Sequence, residues 1–286
     1  MISSSDTVLR ALTDDGSFRV IAVDTTETVR GAVAAQRVNA RLSNLLGEVI
    51  TGSVLVRESM APDYRLQAIL QGADRRTRIV ADTHPSGSTR GLVQVADGVE
   101  DMPMGEGALL QVARTLHNGT LQQGVVQVPT DKQSVSSAFM AYMADSEQTV
   151  TMMAVGCHHA GGQVVAAGGY LVQVLPEAQQ GPLMVMTERL KDFEDILPLL
   201  ARGAATPASL LDETLYGMPY TRVAERTVHF GCNCSPERLS ISLASLPRAD
   251  IESLLEGGQV LDIECDYCRT AYAFSPAQLR SLLENN

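Results

Sequence analysis

The sequence predicts an α+β fold. It has an N-terminal domain of mixed sheet and helices over residues 1–178, a helical linker over 179–226, and a small four-cysteine module over 227–286. Three observations predict it. Short apolar or alternating runs bounded by Gly, Asp and Pro recur between Ser17 and Val174, interleaved with stretches of helical period. From Glu177 onward that texture gives way to an apolar, methionine-bearing helical one. Four of the 5 cysteines then fall together, as Cys232, Cys234, Cys265 and Cys268.

Within the first domain, Phe18-Arg19-Val20-Ile21-Ala22-Val23 is rich in β-formers and predicts a first strand over 17–24. Thr25-Thr26-Glu27 offers a helix start, continued at helical spacing by Val29, Val33 and Ala34. A second helix is expected over 40–55, where Leu42, Leu45, Leu46, Val49 and Ile50 share one face and should pack into a core. Strands follow over 64–71, 77–83, 91–95, 109–116 and 121–128. Alternation such as Leu121/Gln122 suggests antiparallel strands with one wet face. Residues 134–145 read as a helix with Val135, Ala138, Phe139 and Tyr142 on a stripe. Two more strands, 148–158 and 163–174, should join at a Gly161-Gly162 turn, and the domain should end near Pro176.

Gln179-Gln180-Gly181-Pro182 marks the linker, which carries Met184, Met186, Leu190, Phe193, Ile196, Leu197, Leu199 and Leu200. Pro198 and the Gly203–Pro207 stretch break it into several short helices. A methionine-bearing apolar surface can adapt to many partners or simply pack on the main domain, and the two can hold in turn. In the module, Ser235-Pro236 and Ser275-Pro276 each set an N-cap before a proline at the first helical position. Gly257-Gly258 turns into an alternating strand over 259–264 that delivers Cys265 and Cys268 at a hairpin, and Val228-His229-Phe230 should deliver the other pair.

At 286 residues the chain can bury a proper core in one large domain and a smaller one. It contains no apolar run of the roughly 18 residues that a membrane span requires. The N-terminal residues Met1 to Asp6 lack the basic and apolar regions of a signal peptide. Few cysteines, clustered as a metal set, fit a reducing cytosol, so a cytoplasmic location is expected. A net charge of −11 argues against a nucleic-acid role, which leaves a basic footprint.

Cys232-Asn233-Cys234 and Cys265-Asp266-Tyr267-Cys268 are two tight pairs from distant segments, the pattern of a tetrahedral four-thiolate zinc site. The one-residue gap of Cys-x-Cys is shorter than the usual two to four. Sulfurs so close can also bond to each other, and Cys-x-x-Cys thiolates are often reactive. The same atoms could hold zinc when reduced and form local disulfides when oxidised, with metal loss unfolding the module. A permanent structural zinc clip fits the spacing equally well. His229 could replace one sulfur, although four cysteines already close a site. Cys157-His158-His159 invites a second metal reading, but a strand end with solvent-facing histidines and a buried, apolar Cys157 accounts for it more simply. No P-loop, nucleophile elbow or zinc-protease helix is present, so no enzyme is expected. Two rivals carry less weight. A nucleic-acid-binding zinc ribbon conflicts with the acidic excess from Thr221 to Asn286, and a thiol oxidoreductase would place its Cys-x-x-Cys at the helix start of a βαβ unit.

The run His229-Phe230-Gly231-Cys232-Asn233-Cys234-Ser235, then Glu264-Cys265-Asp266-Tyr267-Cys268 with Tyr272-Ala273-Phe274 behind, resembles the 33-kDa heat-shock family of redox-regulated chaperones. Ala167-Gly168-Gly169-Tyr170-Leu171-Val172-Gln173-Val174-Leu175-Pro176 is similar to that family's end-of-domain motif, and the likeness runs the full length. Pro236 and Arg269 depart from it, standing where a basic residue and a glycine are expected. The resemblance implies an ATP-independent holdase that prevents aggregation of unfolding clients under oxidative stress. It implies one Zn²⁺ per chain on Cys232, Cys234, Cys265 and Cys268 in the reduced state. It further implies oxidation to Cys232–Cys234 and Cys265–Cys268 disulfides with loss of zinc, and an active homodimer that binds unfolded proteins but no nucleic acid or membrane.

Overall fold

The structure, a computed structural model, describes residues 6–96, 98–256 and 258–284. The signal-peptide reading of Met1–Ser5 and the Gly257 half of the expected turn lie outside them. The chain forms two compact units, Met1–Gly231 and Cys232–Asn286. In the first, the elements are β1 (Asp6–Thr13), β2 (Phe18–Asp24), α1 (Thr26–Gln36), α2 (Ala40–Ser59), β3 (Arg65–Gln71), β4 (Arg78–Thr83), β5 (Ser88–Gln94), β6 (Leu109–Thr115), β7 (Leu121–Gln127), α3 (Val135–Asp145), β8 (Thr151–Ala160), β9 (Gln163–Val174), α4 (Gln180–Lys191), α5 (Leu197–Ala201), α6 (Pro207–Thr214) and β10 (Tyr220–Phe230). The second contains α7 (Pro236–Ala244), α8 (Arg248–Glu256), β11 (Leu261–Glu264), β12 (Ala271–Phe274) and α9 (Pro276–Glu284). The fold is α+β, as expected.

The strands of the first unit make one 10-stranded sheet in the order β7-β6-β3-β4-β5-β10-β1-β2-β9-β8. Its pairs are antiparallel apart from β10 against β5, which is parallel. β1 and β10 were not expected, yet they lie side by side in the middle, with Asp6 opposite Val228 and Leu9 opposite Glu225. Three boundaries also move, α2 running on to Ser59 rather than ending at 55. β5 starts at Ser88 rather than Gly91, and β8 starts at Thr151 because Gln148 adopts φ 52°, which no strand accommodates.

Side-chain alternation explains the sheet's two cores. Ile21 and Val23 of β2 pack with α1–α3, among Leu46, Ile50, Leu66 and Phe139. Phe18, Val20 and Ala22 point the other way, against Met186, Leu190, Ile196, Leu200, Leu210 and Leu211 of the α4–α6 segment. β2 is therefore apolar on both faces and reads as a continuous run. Strands β2, β9 and β8 approach so closely at the Gly168-Gly169 pair that a Cβ would lie 2.6 Å from Val23 O and 2.5 Å from Ala154 O. Any side chain there would push the sheet apart, which explains both glycines of the end-of-domain motif.

The α4–α6 segment breaks where expected. Pro198 stands in the first turn of α5, Gly203 has φ 66°, and Pro207 opens α6 with Thr206 as its side-chain cap. Most of its residues are exposed, including Met184 and Val185. Each buried Leu, Ile or Met contributes about 1.5–3 kcal/mol in transfer from water, while ordering each residue costs about 1–2 kcal/mol. A segment with so few buried side chains is held only marginally.

Candidate metal centre

The second unit has a small core: Leu243, Phe274 and Leu279, with Leu239, Leu255, Leu261, Ile263, Tyr272 and Leu282 packed against them. Ser235 caps α7, its hydroxyl accepting from Arg238 N–H at 3.3 Å, and Pro236 needs no donor partner at the first helical position. Helix α8 lies between the expected elements and places Ile251 fully inside. β11 and β12 pair antiparallel, Leu261 opposite Phe274 and Glu264 opposite Ala271, so the Cys265–Thr270 connection is the tip of a hairpin. Cys265 N–H donates to Thr270 O at 2.9 Å and Arg269 N–H to Cys265 O at 2.8 Å. This closes a turn that aims both hairpin sulfurs to one side. Arg269, the departure from the family's glycine, adopts φ 58°.

The four sulfurs converge. Cys232 Sγ lies 3.8 Å from Cys265 Sγ, Cys234 Sγ lies 3.3 Å from Cys268 Sγ, and all four ligand atoms fall within 4.8 Å of one another. A tetrahedral zinc site with Zn–S bonds of about 2.3 Å has sulfur–sulfur edges of about 3.8 Å. No pair is bonded, and all four thiols are partly buried. Four soft thiolates at this spacing form a metal-binding arrangement that fits zinc. His229 does not join them. It is exposed on β10, where its backbone N–H donates to Gly87 O at 3.2 Å.

Two hydroxyls that sequence reasoning missed reach the sulfurs. Tyr272 donates to Cys234 Sγ at 3.1 Å, and Thr270 Oγ1 lies 3.2 Å from Cys268 Sγ. No motif announces them: Thr270 stands just before β12 and Tyr272 within it, and only the hairpin's fold brings their hydroxyls to the sulfurs. Burial first, then the neighbouring thiols, pushes the Cys234 thiol up to about 12, despite the Tyr272 hydroxyl acting the other way. At Cys268 burial is again the largest influence and acts upward. The hydroxyl and backbone of Thr270 with the Cys234 and Cys265 thiols outweigh it, bringing this thiol down to about 7. The centre thus holds one sulfur that ionises readily next to one that resists.

Cys157 sits apart, buried on β8, with its thiol pushed up to about 12 by burial and then by Glu48. Of the neighbouring histidines, His159 is not solvent-facing as expected. A register shift between His158 and His159 turns the His159 ring inward, with Nε2 2.8 Å from Ser43 Oγ and Nδ1 3.8 Å from Cys157 Sγ. Both histidines are half-buried.

Among the described residues no helix is long and apolar enough to cross a membrane. Residues 6–275 match the family model described as Hsp33 protein. The 33 kDa chaperonin of Syntrophotalea carbinolica is 28% identical, covering 97% of this chain and 99% of that protein. The 33 kDa chaperonin of Shouchella clausii is 29% identical over 98% and 97%. In three dimensions the fold is similar to the crystal structure of the 33 kDa chaperonin (HSP33 homolog) from Thermotoga maritima. That comparison has a TM-score of 0.85 and 22% identity, covering 98% of both chains. With its four cysteines brought to one point on the α+β frame these relatives share, the chain belongs to the Hsp33 family of chaperones.

Proposed function

We propose that this protein is a redox-regulated, ATP-independent holdase, with residues 227–286 as the switch and 179–226 as the linker it controls. In the reduced state Cys232, Cys234, Cys265 and Cys268 hold one Zn²⁺, which supplies the folding energy of a unit whose own core is small. Within each pair the cysteines are near neighbours in sequence, so each can close a local disulfide once the metal charge no longer gathers the four.

Oxidants such as peroxide or hypochlorous acid attack the thiolates. One thiolate of a pair attacks a peroxide oxygen, the O–O bond breaks and hydroxide leaves, giving a sulfenic acid. The partner thiolate attacks that sulfur, the S–S bond forms and a second hydroxide leaves. Each disulfide therefore passes two electrons to one peroxide, and the pairs are Cys232–Cys234 and Cys265–Cys268. Disulfide sulfurs could no longer serve as thiolate ligands to the Zn²⁺ they would hold, so the module, left without that support, unfolds. The marginally held α4–α6 part of the linker then loosens, and the faces of Met186, Leu190, Ile196 and Leu200, with the sheet surface beneath, become available to unfolding clients in the cytoplasm. The active form is a homodimer.

The observation that carries this reading is the convergence of four sulfurs, at metal-ligating spacing, from two pairs each able to close on itself. Following zinc release and suppression of client aggregation together, before and after peroxide at raised temperature, tests it. Zinc release of about one per chain, with activity that appears alongside and reverses on reduction, is expected. Zinc held while activity stays constant would reduce the cysteines to a structural clip.

A further inference from the structure

Strand β12 does more than close the hairpin. Thr270, just before it, and Tyr272, within it, put one hydroxyl each on Cys268 and Cys234, at 3.2 Å and 3.1 Å. These two sulfurs, 3.3 Å apart, come from different cysteine pairs and would enter different disulfides. The Tyr272 ring packs against the core of Leu243, Phe274 and Leu279, so the hydroxyl's position is fixed by the hairpin rather than by the segment that carries Cys234. It therefore ties Cys234 to the half of the site to which it has no covalent connection.

We propose that Tyr272, seconded by Thr270, is a positioning residue that holds Cys234 in its ligand orientation and sets how readily the four-sulfur centre yields to an oxidant. A thiolate has only acceptor capacity, so both hydroxyls donate to it. An O–H that engages a sulfur lone pair withdraws charge from the sulfur and makes it a poorer nucleophile toward peroxide. It also resists rotation of Cys234 toward Cys232, the movement that forming their disulfide demands. The hydroxyls thus act as a threshold, delaying response to a weak oxidant. This inference rests on the zinc reading above.

The test uses full-length zinc-loaded protein, wild type against Tyr272→Phe, which keeps the ring and its packing, and Thr270→Val, which keeps the shape. Zinc passed to a chromophoric chelator under peroxide is followed as a rate, and the thiolate-to-cobalt absorption band is recorded after Co²⁺ substitution. Tyr272→Phe should release zinc about tenfold faster and shift the band, Thr270→Val should move both in the same direction, and Thr270→Ser should restore the wild-type rate. Tyr272→Phe with an unchanged rate and band overturns the proposal. Should Tyr272→Phe not retain metal, Thr270→Val decides by itself: faster release supports the proposal and a wild-type rate overturns it. A wild type that takes up no zinc overturns both this inference and the zinc reading. A wild type that binds zinc but suppresses aggregation regardless of peroxide overturns only the redox reading, and the cobalt band still decides the role of Tyr272.

Discussion

Arg269 occupies a left-handed backbone position, φ 58°, at the turn between Cys265 and Thr270. For a residue with a Cβ this costs about 1–2 kcal/mol, and glycine escapes it. The compensating ion pair to Glu264, 3.3 Å and exposed, contributes at most about 1 kcal/mol. Arg269→Gly should therefore stabilise the zinc-loaded second unit by up to about 1 kcal/mol, read as a higher denaturant midpoint with zinc present. A lower midpoint would show that the ion pair outweighs the strain. Cys157 makes the opposite case. Its buried thiol packs within 2.7 Å of where a Gly47 Cβ would stand, far from any ligand role. Cys157→Ala should cost the first unit about 1 kcal/mol through the small void it leaves, while zinc stoichiometry by atomic absorption stays unchanged. The four ligand candidates were legible because thiolate spacing is itself the chemical requirement. The hydroxyls of Thr270 and Tyr272 were not, because a donor to sulfur needs only a reach of about 3 Å and leaves no spacing rule behind. The inward turn of His159 was equally hidden, since it depends on one register shift.

At the scale of elements, the amphipathic pieces were readable and the central ones were not. α3, β3, β6 and β7 stand near their expected bounds because each shows its own period to one core, and β4 and β9 do so as short apolar runs between turn residues. β1 and β10 carry Arg10, Arg222, Glu225 and Arg226 among their apolar residues, and their pairing joins segments at opposite ends of the first unit. That contact fixes them as strands, and no local window contains it. The linker's docking was legible only as an alternative, and one packing contact and one charge influence show how it is tuned. Gly156 of β8 faces α5, where an added Cβ would lie 2.9 Å from Leu200 and 3.2 Å from Leu197. Gly156→Val should weaken α5 docking by about 1–3 kcal/mol, exposing residues 180–214 to limited proteolysis in the reduced, zinc-loaded protein. Unaltered cleavage would mean that α5 contributes little to holding the segment. Glu48 of α2 bears on it through charge, its carboxyl pushed up to about 7 by burial and then by the negative charge of Asp195, just before α5. A raised acid is protonated in the fold while already ionised in the unfolded chain, so stability falls as pH rises from 4.5 to about 7 and is level above it. Glu48→Gln should remove that decline. Its gain should be absent at pH 4 and at most on the order of 3 kcal/mol at pH 8, measured by urea unfolding of the first unit.

At the scale of the molecule, the two units are stabilised by different means. The first buries two extensive cores on either side of a 10-stranded sheet. Among its described residues the second buries only Leu243, Ile251, Phe274 and Leu279 of its apolar side chains, too little for about 55 residues to offset the ordering of its backbone. Metal binding in small modules contributes about 10–16 kcal/mol, so the second unit should fold only when loaded. A chelator under reducing conditions should then abolish amide-exchange protection over α7, α8 and α9 while protection in α2 and β2 persists. The denaturant midpoint of the first unit should stay where it was. Reducing conditions matter here, because the chelator then takes the metal without disulfides forming, which separates unfolding from oxidation. If the metal-free, reduced protein also suppresses client aggregation, loss of the fold is the activating event and the disulfides act by preventing rebinding of zinc. If it unfolds the second unit yet stays inactive, the disulfides themselves are needed to release the α4–α6 segment. Persistence of α7–α9 protection without metal would show that the four sulfurs sit on a unit able to fold alone, and a switch driven by metal loss would have no physical basis.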